Sequence, residues 1–193
     1  KLAPGQHQLL LVRDTEGADG VSVLDGFVLE KGARLTRAPK PLKRRIEFVG
    51  DSVLAGAFAE GPGNYMEQEN GYMSFGPQLA RMLKADWSLI ATSGEGVVRN
   101  MSEEAATDAT HALTDYERPL YSLRQTEGKG QNAAFKPQLI VVNQGANDFE
   151  AKVPPTPAAF IQGYKKLVRS IRRQNPQAVI ICLEPVPYDS GSM

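Results

Sequence analysis

The chain has 193 residues, 41% of them hydrophobic, which is the composition of a folded globular protein and excludes a disordered one. Its 22 basic and 22 acidic residues cancel, and without a basic excess we expect no binding to nucleic acid or to an acidic membrane surface. One cysteine and two histidines are too few for a structural zinc site, and we expect no metal and no cofactor. No apolar run approaches the length of a membrane-spanning helix, so we also expect no membrane segment.

Residues 1–37 have the composition of β-strands. Apolar runs at residues 7–13 and 21–30 are separated by turn-forming residues, and this pattern predicts two strands. Two strands alone are not a stable sheet in water, so they either pair with the rest of the chain or end a larger β-domain; we favour the second. Residues 38–44 follow, with two prolines and several basic side chains, and predict an extended linker.

Between residues 45 and 193, short apolar segments alternate with amphipathic ones. The clearest helix runs from Thr156 to Asn175, because Thr156 suits an N-cap, Pro157 suits the first turn, and Pro176 stops the helix. The alternation predicts an α/β fold with a parallel sheet covered by helices on both faces. The other predicted elements are strands at 46–49, 87–91, 139–143 and 179–183, and helices at 52–59, 74–83 and 105–113.

Three of the four predicted strands end in short polar loops that contain glycine. In a parallel sheet such loops meet at one edge, where ligands bind. A serine there, at the start of a helix, suits a nucleophile, and a glycine N–H and an asparagine side chain suit donors to an oxyanion. The alternative is that these are ordinary strand-to-helix turns, in which Asp51 and Ser52 only cap a helix. The loops are Gly50-Asp51-Ser52, Ser93-Gly94-Glu95-Gly96 and Gly145-Ala146-Asn147-Asp148.

The order and spacing of these loops resemble the SGNH/GDSL hydrolase family, whose blocks are Gly-Asp-Ser, a glycine after the second strand, and Gly-x-Asn-Asp. Within it the chain is most similar to carbohydrate esterase family 2, which includes acetylxylan esterases. The resemblance implies a three-layer, flavodoxin-like fold over residues 45–193, preceded at 1–37 by the last strands of a β-sandwich domain. The closer similarity lies in the runs from Glu69 to Tyr72, Leu79 to Arg81, Ile90 to Gly96 and Asp115 to Leu120.

The resemblance also implies the roles of individual residues. Ser52 would be the nucleophile, and the Ser52 N–H, the Gly94 N–H and the Asn147 side chain would form the oxyanion hole, supported by Asp51 and Asp148. The implied reaction is removal of acetyl groups from carbohydrate through a covalent acyl-enzyme, by a secreted or extracytoplasmic protein. The alternatives are a non-catalytic carbohydrate-binding module on the same fold, and a lipid or thioester hydrolase of the same superfamily.

One part of the family pattern is missing from this chain. The family's general base is a histidine in a late Asp-x-x-His block, and no such block occurs here. His111 lies between the second and third blocks and His7 lies in the first predicted strand, so neither is well placed. We therefore expect the hydrolase domain to be incomplete at its C-terminus, with a segment beyond Met193 supplying the histidine; without that segment the serine stays weakly nucleophilic.

Overall fold

The centre of the fold is a sheet of four parallel strands in the order β2-β1-β3-β4. The computed structural model describes residues 3, 5–17, 20, 22–104, 111–117 and 135–185. This strand order places the first strand in the interior, as in doubly wound flavodoxin-like folds. The strands are β1 (Arg44–Gly50), β2 (Ala85–Ala91), β3 (Leu139–Asn143) and β4 (Val179–Cys182).

The carboxyl ends of β1, β2 and β3 lie at one level. Gly50, the last residue of β1, pairs with Ala91 on β2 and with Asn143 on β3. Each of these strands leads directly into one of the three polar loops. The register therefore brings the three loops to the same edge of the sheet, as the sequence predicts.

Helices flank the sheet, and the longest begins and ends where its sequence predicts. Thr156 caps the longest helix by accepting from the Ala159 N–H over 3.3 Å, and Asn175 ends it. Among the described helices, none combines the length and the apolar character that crossing a membrane requires. The helices are α1 (Ser52–Ala55), α2 (Tyr65–Gln68), α3 (Phe75–Met82), α4 (Ala112–Glu117), α5 (Ala146–Glu150) and α6 (Pro157–Gln174), with a 3₁₀ turn at Gly71–Met73.

Two hydrophobic cores, one on each face of the sheet, make the fold three-layered. Successive residues of β1 point to opposite faces, so Phe48 packs into one core and Val49 into the other, and both are almost fully buried. The Phe48 core contains Leu54 of α1 and Ala80 of α3. The Val49 core contains Leu167 and Ile171 of α6 together with Tyr116 of α4. Burial on both faces explains why β3 is apolar from Leu139 to Val142.

The predicted parallel α/β sheet is confirmed, with small differences at the ends of elements. The helix predicted at 52–59 ends at Ala55, because Gly56 adopts a left-handed φ of 94° that terminates it. A side chain at Gly56 would lie 2.2 Å from the Asn70 carbonyl oxygen, so the chain turns where only glycine fits. Of the helix predicted at 105–113, residues 105–110 lie outside the described residues, and α4 begins at Ala112.

The strands predicted at 7–13 and 21–30 are wrong as far as the structure describes those residues. Residues 7–13 and 22–30 form no strand, and none pairs its backbone with another described residue as a ladder would require. Apolar alternation alone does not make a strand, because an unpaired backbone gains nothing from the extended conformation. The division into a β-sandwich end at 1–37, a linker at 38–44 and a hydrolase domain from 45 stays a prediction.

Candidate active site

Ser52 is the first residue of α1 and lies directly after the end of β1. The N-cap of this short helix is Asp51, whose carboxylate accepts from the Val53 N–H over 3.2 Å. Asp51 is thus a cap, whereas the Ser52 hydroxyl makes no hydrogen bond with any residue that the structure describes. The turn holds the Ser52 hydroxyl at the carboxyl edge of the sheet, beside backbone N–H groups of the first helical turn.

Gly94 follows β2 and has a backbone conformation that favours glycine. Its φ is +75°, and the space that a Cβ would occupy is open. Its carbonyl accepts from the Met101 N–H over 2.9 Å, while its own N–H has no partner within the described part of the chain. The preceding Thr92 N–H lies 3.4 Å from the carbonyl oxygen of Gly50, which ties this loop to the end of β1. An unpaired N–H in an open space is available to an oxyanion.

Asn147 lies in the first turn of α5 and is 6% exposed. Its Nδ2 donates to the carbonyl oxygen of Glu95 over 2.9 Å. This bond fixes the amide plane and joins the third polar loop to the second. A primary amide has two N–H donors, so this bond uses one of the two that Asn147 has.

Asp148 organises the loop that contains Gly94. Its fully buried carboxylate accepts from three successive backbone N–H groups, those of Val97 and Val98 at 2.7 Å and that of Arg99 at 2.9 Å. A Cβ on Gly96 would lie 1.9 Å from the Arg99 carbonyl oxygen and 2.6 Å from Asp148 Oδ2. The loop therefore folds around a carboxylate, and this close approach requires glycine at position 96.

The buried carboxyl groups of Asp51 and Asp148 both have a raised pKa. The pKa of Asp51 is raised to about 6, mainly because burial disfavours the charged carboxylate. The hydrogen bond from the Val53 N–H lowers the pKa, and the nearby charge of Asp148 raises it. Burial also raises the pKa of Asp148, although its three backbone donors favour the charged form. The site therefore changes its charge in mildly acidic solution.

Neither histidine of the chain is bonded to Ser52. His111 Nε2 lies 3.1 Å from Glu103 Oε2, and His7 Nε2 lies 2.7 Å from the Ala3 carbonyl oxygen in the exposed N-terminal segment. Within the described ranges, no group of three His, Cys, Asp or Glu side chains could hold a metal ion. Among the described residues, neither histidine is therefore placed to accept a proton from the Ser52 hydroxyl.

One contact at this edge of the sheet could not be predicted from the sequence. The carboxylate of Glu16 accepts from the Tyr65 hydroxyl over 2.9 Å and from the Ser93 N–H over 2.7 Å. Glu16 lies in a polar stretch that predicts only a turn, and it reaches a partner 77 positions away. No periodicity or motif encodes such a contact.

Comparison with known proteins places this arrangement among acyl hydrolases. The sequence model of the GDSL-like Lipase/Acylhydrolase family matches residues 48–193. "Cellulase/esterase CelE" of Acetivibrio thermocellus is 34% identical over 98% of this chain and 23% of its own length. "Acetylxylan esterase / glucomannan deacetylase" of Cellvibrio japonicus is 30% identical over 94% of this chain and 53% of its own length.

A solved structure shares both the fold and the sequence similarity. It is a family two carbohydrate esterase from Clostridium thermocellum in complex with cellohexaose, with a TM-score of 0.70 and 32% identity over 82% of this chain and 48% of that chain. The chain described here spans about half of that structure, and 23% and 53% of the two curated relatives.

Proposed function

Because the chain belongs to the GDSL-like lipase/acylhydrolase family, we propose that it carries the nucleophile and oxyanion hole of a serine esterase that removes acetyl groups from carbohydrate. The observation that supports the proposal is that β1, β2 and β3 end at one level, so that the loops with Ser52, Gly94 and Asn147 leave the sheet at the same edge. The Asn147 amide is bonded to the Glu95 carbonyl of the loop that contains Gly94. The names of the relatives, an acetylxylan esterase and a family two carbohydrate esterase, support the choice of acetylated carbohydrate.

The reaction proceeds in two acyl transfers. The Ser52 oxygen attacks the ester carbonyl carbon, its proton passes to a base, and the carbonyl oxygen becomes an oxyanion that accepts from Ser52 N–H, Gly94 N–H and Asn147 Nδ2. The intermediate collapses, the bond to the sugar oxygen breaks, and that oxygen takes the proton. Water then attacks the acetyl-serine, releasing acetate and restoring the Ser52 hydroxyl.

We propose that the base is a histidine in a segment that follows Met193 in the full-length protein. His111 is paired with Glu103 and His7 is bonded in the N-terminal segment, which supports a general base from elsewhere in the protein. The resemblance to a family with an Asp-x-x-His block supports the same choice. Because polysaccharides do not cross cell membranes, we further propose that the protein acts outside the cytoplasm.

The test is the Ser52→Ala variant of the full-length protein, assayed on 4-nitrophenyl acetate and on acetylated xylan. Loss of the nucleophile should lower kcat by about 10³-fold or more. Ser102→Ala, an exposed serine in a neighbouring turn, is the matched control and should keep the wild-type rate. Ester hydrolysis that survives Ser52→Ala overturns the assignment. Comparison of acetyl with long-chain acyl esters separates this function from that of a lipid or thioester hydrolase.

A second candidate is a carbohydrate-binding module on the same fold in which the serine is unused. The cellohexaose complex of the related esterase supports it, because that protein binds a sugar chain as well as belonging to an esterase family. Cellohexaose binding measured by calorimetry, together with no hydrolysis of any acetyl ester by the full-length protein, would favour this alternative.

A further inference from the structure

The N-terminal segment reaches the candidate active site through one acidic side chain. The two oxygens of Glu16 have separate partners: Oε1 accepts from the Tyr65 hydroxyl at 2.9 Å, and Oε2 accepts from the Ser93 N–H at 2.7 Å. The Tyr65 hydroxyl is also hydrogen-bonded to the Ser93 hydroxyl. Ser93 is therefore held at both its backbone and its side chain by a carboxylate and a phenol.

The segment that carries Glu16 is itself anchored. The Arg13 guanidinium donates to the Thr15 hydroxyl over 3.3 Å and to the Glu16 carbonyl oxygen over 2.5 Å. The Asp14 carbonyl accepts from the Gly71 N–H over 2.7 Å. The turn around Glu16 thus rests on the loop that follows α2 and does not depend on a single side-chain contact.

The position of Ser93 matters because the next residue is Gly94. Downstream, Gly94 is fixed by the bond from the Met101 N–H to its carbonyl oxygen; upstream, the Ser93 N–H is fixed by Glu16. These bonds hold the peptides on either side of the Ser93–Gly94 peptide, which carries the Gly94 N–H, and so restrict its rotation. Without the upstream bond, a glycine with a left-handed φ and open space at its Cβ has little to keep that N–H in one orientation.

We propose that Glu16 is a positioning residue for the oxyanion hole, acting through Ser93 to aim the Gly94 N–H at the ester oxygen. The proposal rests on the proposed esterase function and extends the site into the N-terminal segment. The role requires a side chain that is long enough to place a hydrogen-bond acceptor at the Ser93 N–H. Glutamine at position 16 retains such an acceptor, whereas alanine does not.

The test compares Glu16→Ala, Glu16→Gln and Ser52→Ala in the full-length protein on 4-nitrophenyl acetate. We expect Glu16→Ala to lower kcat roughly tenfold with KM nearly unchanged, because displacing an oxyanion donor costs less than removing one. Glu16→Gln should restore kcat to within about threefold of wild type. Glu30→Ala, an exposed glutamate of the same segment, is the matched control and should match the wild type.

A boronic acid inhibitor distinguishes positioning from a merely structural role. Its tetrahedral adduct with Ser52 places an oxygen in the oxyanion hole, so its Ki should rise in Glu16→Ala by the same factor as kcat falls. A loss of folded protein alone lowers the apparent kcat without changing the Ki. If Glu16→Ala does not fold, Tyr65→Phe gives the decisive measurement, because it removes one support of Ser93 and should lower kcat about two- to fivefold.

Each result bears on one proposal. If folded Glu16→Ala keeps the wild-type kcat and Ki, the positioning role is overturned. The same result in Tyr65→Phe overturns it where Glu16→Ala does not fold. In either case the esterase assignment stays intact if Ser52→Ala is inactive. Full activity in Ser52→Ala overturns the esterase assignment itself. A kcat in Glu16→Gln as low as that in Glu16→Ala also overturns the proposal, because it shows that charge, and not an acceptor, is what position 16 supplies.

Discussion

The side-chain amide of Asn147 donates to the main-chain carbonyl of Glu95 over 2.9 Å, which joins the loop after β3 to the loop after β2. Glu95 follows Gly94 directly, so the bond places two of the proposed oxyanion donors in a fixed relation. Both the side-chain donor and the backbone donor depend on it. The proposed oxyanion hole thus depends on two loops that are bonded to each other, so substitutions in the two loops should not act independently.

Replacement of Asn147 should therefore affect catalysis strongly. We expect Asn147→Ala to lower kcat by about 10²–10³-fold, because it removes one oxyanion donor and frees the Glu95 carbonyl. Asn147→Asp, which keeps the shape but replaces the donor with an acceptor, should be at least as poor. Steady-state kinetics on 4-nitrophenyl acetate provides the measurement. Gln162→Ala, in an exposed position of α6, is the control, and kcat for Asn147→Ala within threefold of wild type would contradict the role.

The buried carboxyl of Asp51 should make stability depend on pH. Its pKa is raised from 3.8 to about 6 on folding, so the folded state binds the proton more tightly than the unfolded state does. The stability contribution of this group is thus fully present below pH 3.8 and is lost as the pH rises through about 6. The full effect of such a change in pKa is about 3 kcal/mol.

Asp51→Asn removes this titration while keeping a good N-cap. We compare the free energy of unfolding of the variant with that of wild type at each pH. The difference should favour the variant by about 2–3 kcal/mol more at pH 7 than at pH 4. Urea unfolding at the two pH values measures the difference. Asp25→Asn, an exposed change in the N-terminal segment, should show the same pH dependence as the wild type. A parallel pH dependence of wild type and Asp51→Asn would show that Asp51 is not the group responsible.

The sequence is sufficient to predict the sheet and the edge where the site lies. Short apolar runs, glycine-bearing loops and a capped amphipathic helix are local signals, whereas the register of β1 with β2 and β3 is seen only in the structure. The Glu16 contact is different in kind, because it depends on how a segment without regular structure lies on a distant loop. The three backbone hydrogen bonds to Asp148 could not be predicted either, because the sequence shows an acidic residue but not the loop that folds around it.

Two glycines of the loop after β2 should respond differently to substitution by alanine. Gly94 has a left-handed φ but open space at its Cβ, so Gly94→Ala should cost about 1–2 kcal/mol of stability from backbone strain. Gly96 has a Cβ position 1.9 Å from the Arg99 carbonyl oxygen, so Gly96→Ala must open the loop around Asp148 and should cost about 3 kcal/mol. Thermal unfolding shows which of the two variants loses more stability. A smaller loss of stability in Gly96→Ala than in Gly94→Ala would contradict the close contact at Gly96.

Substitution of His111 tests whether the base lies elsewhere. The imidazole Nε2 is 3.1 Å from Glu103 Oε2, a pairing that glutamine can keep through its side-chain amide. We expect His111→Gln to retain kcat within about twofold and to lose about 1 kcal/mol of stability from the altered bond. The pH–rate profile of the full-length protein provides the second readout, because removal of a general base also removes the limb of the profile that it titrates. If His111→Gln lowers kcat by about 10²-fold or more and also loses that limb, His111 is the base. No histidine beyond Met193 would then be required.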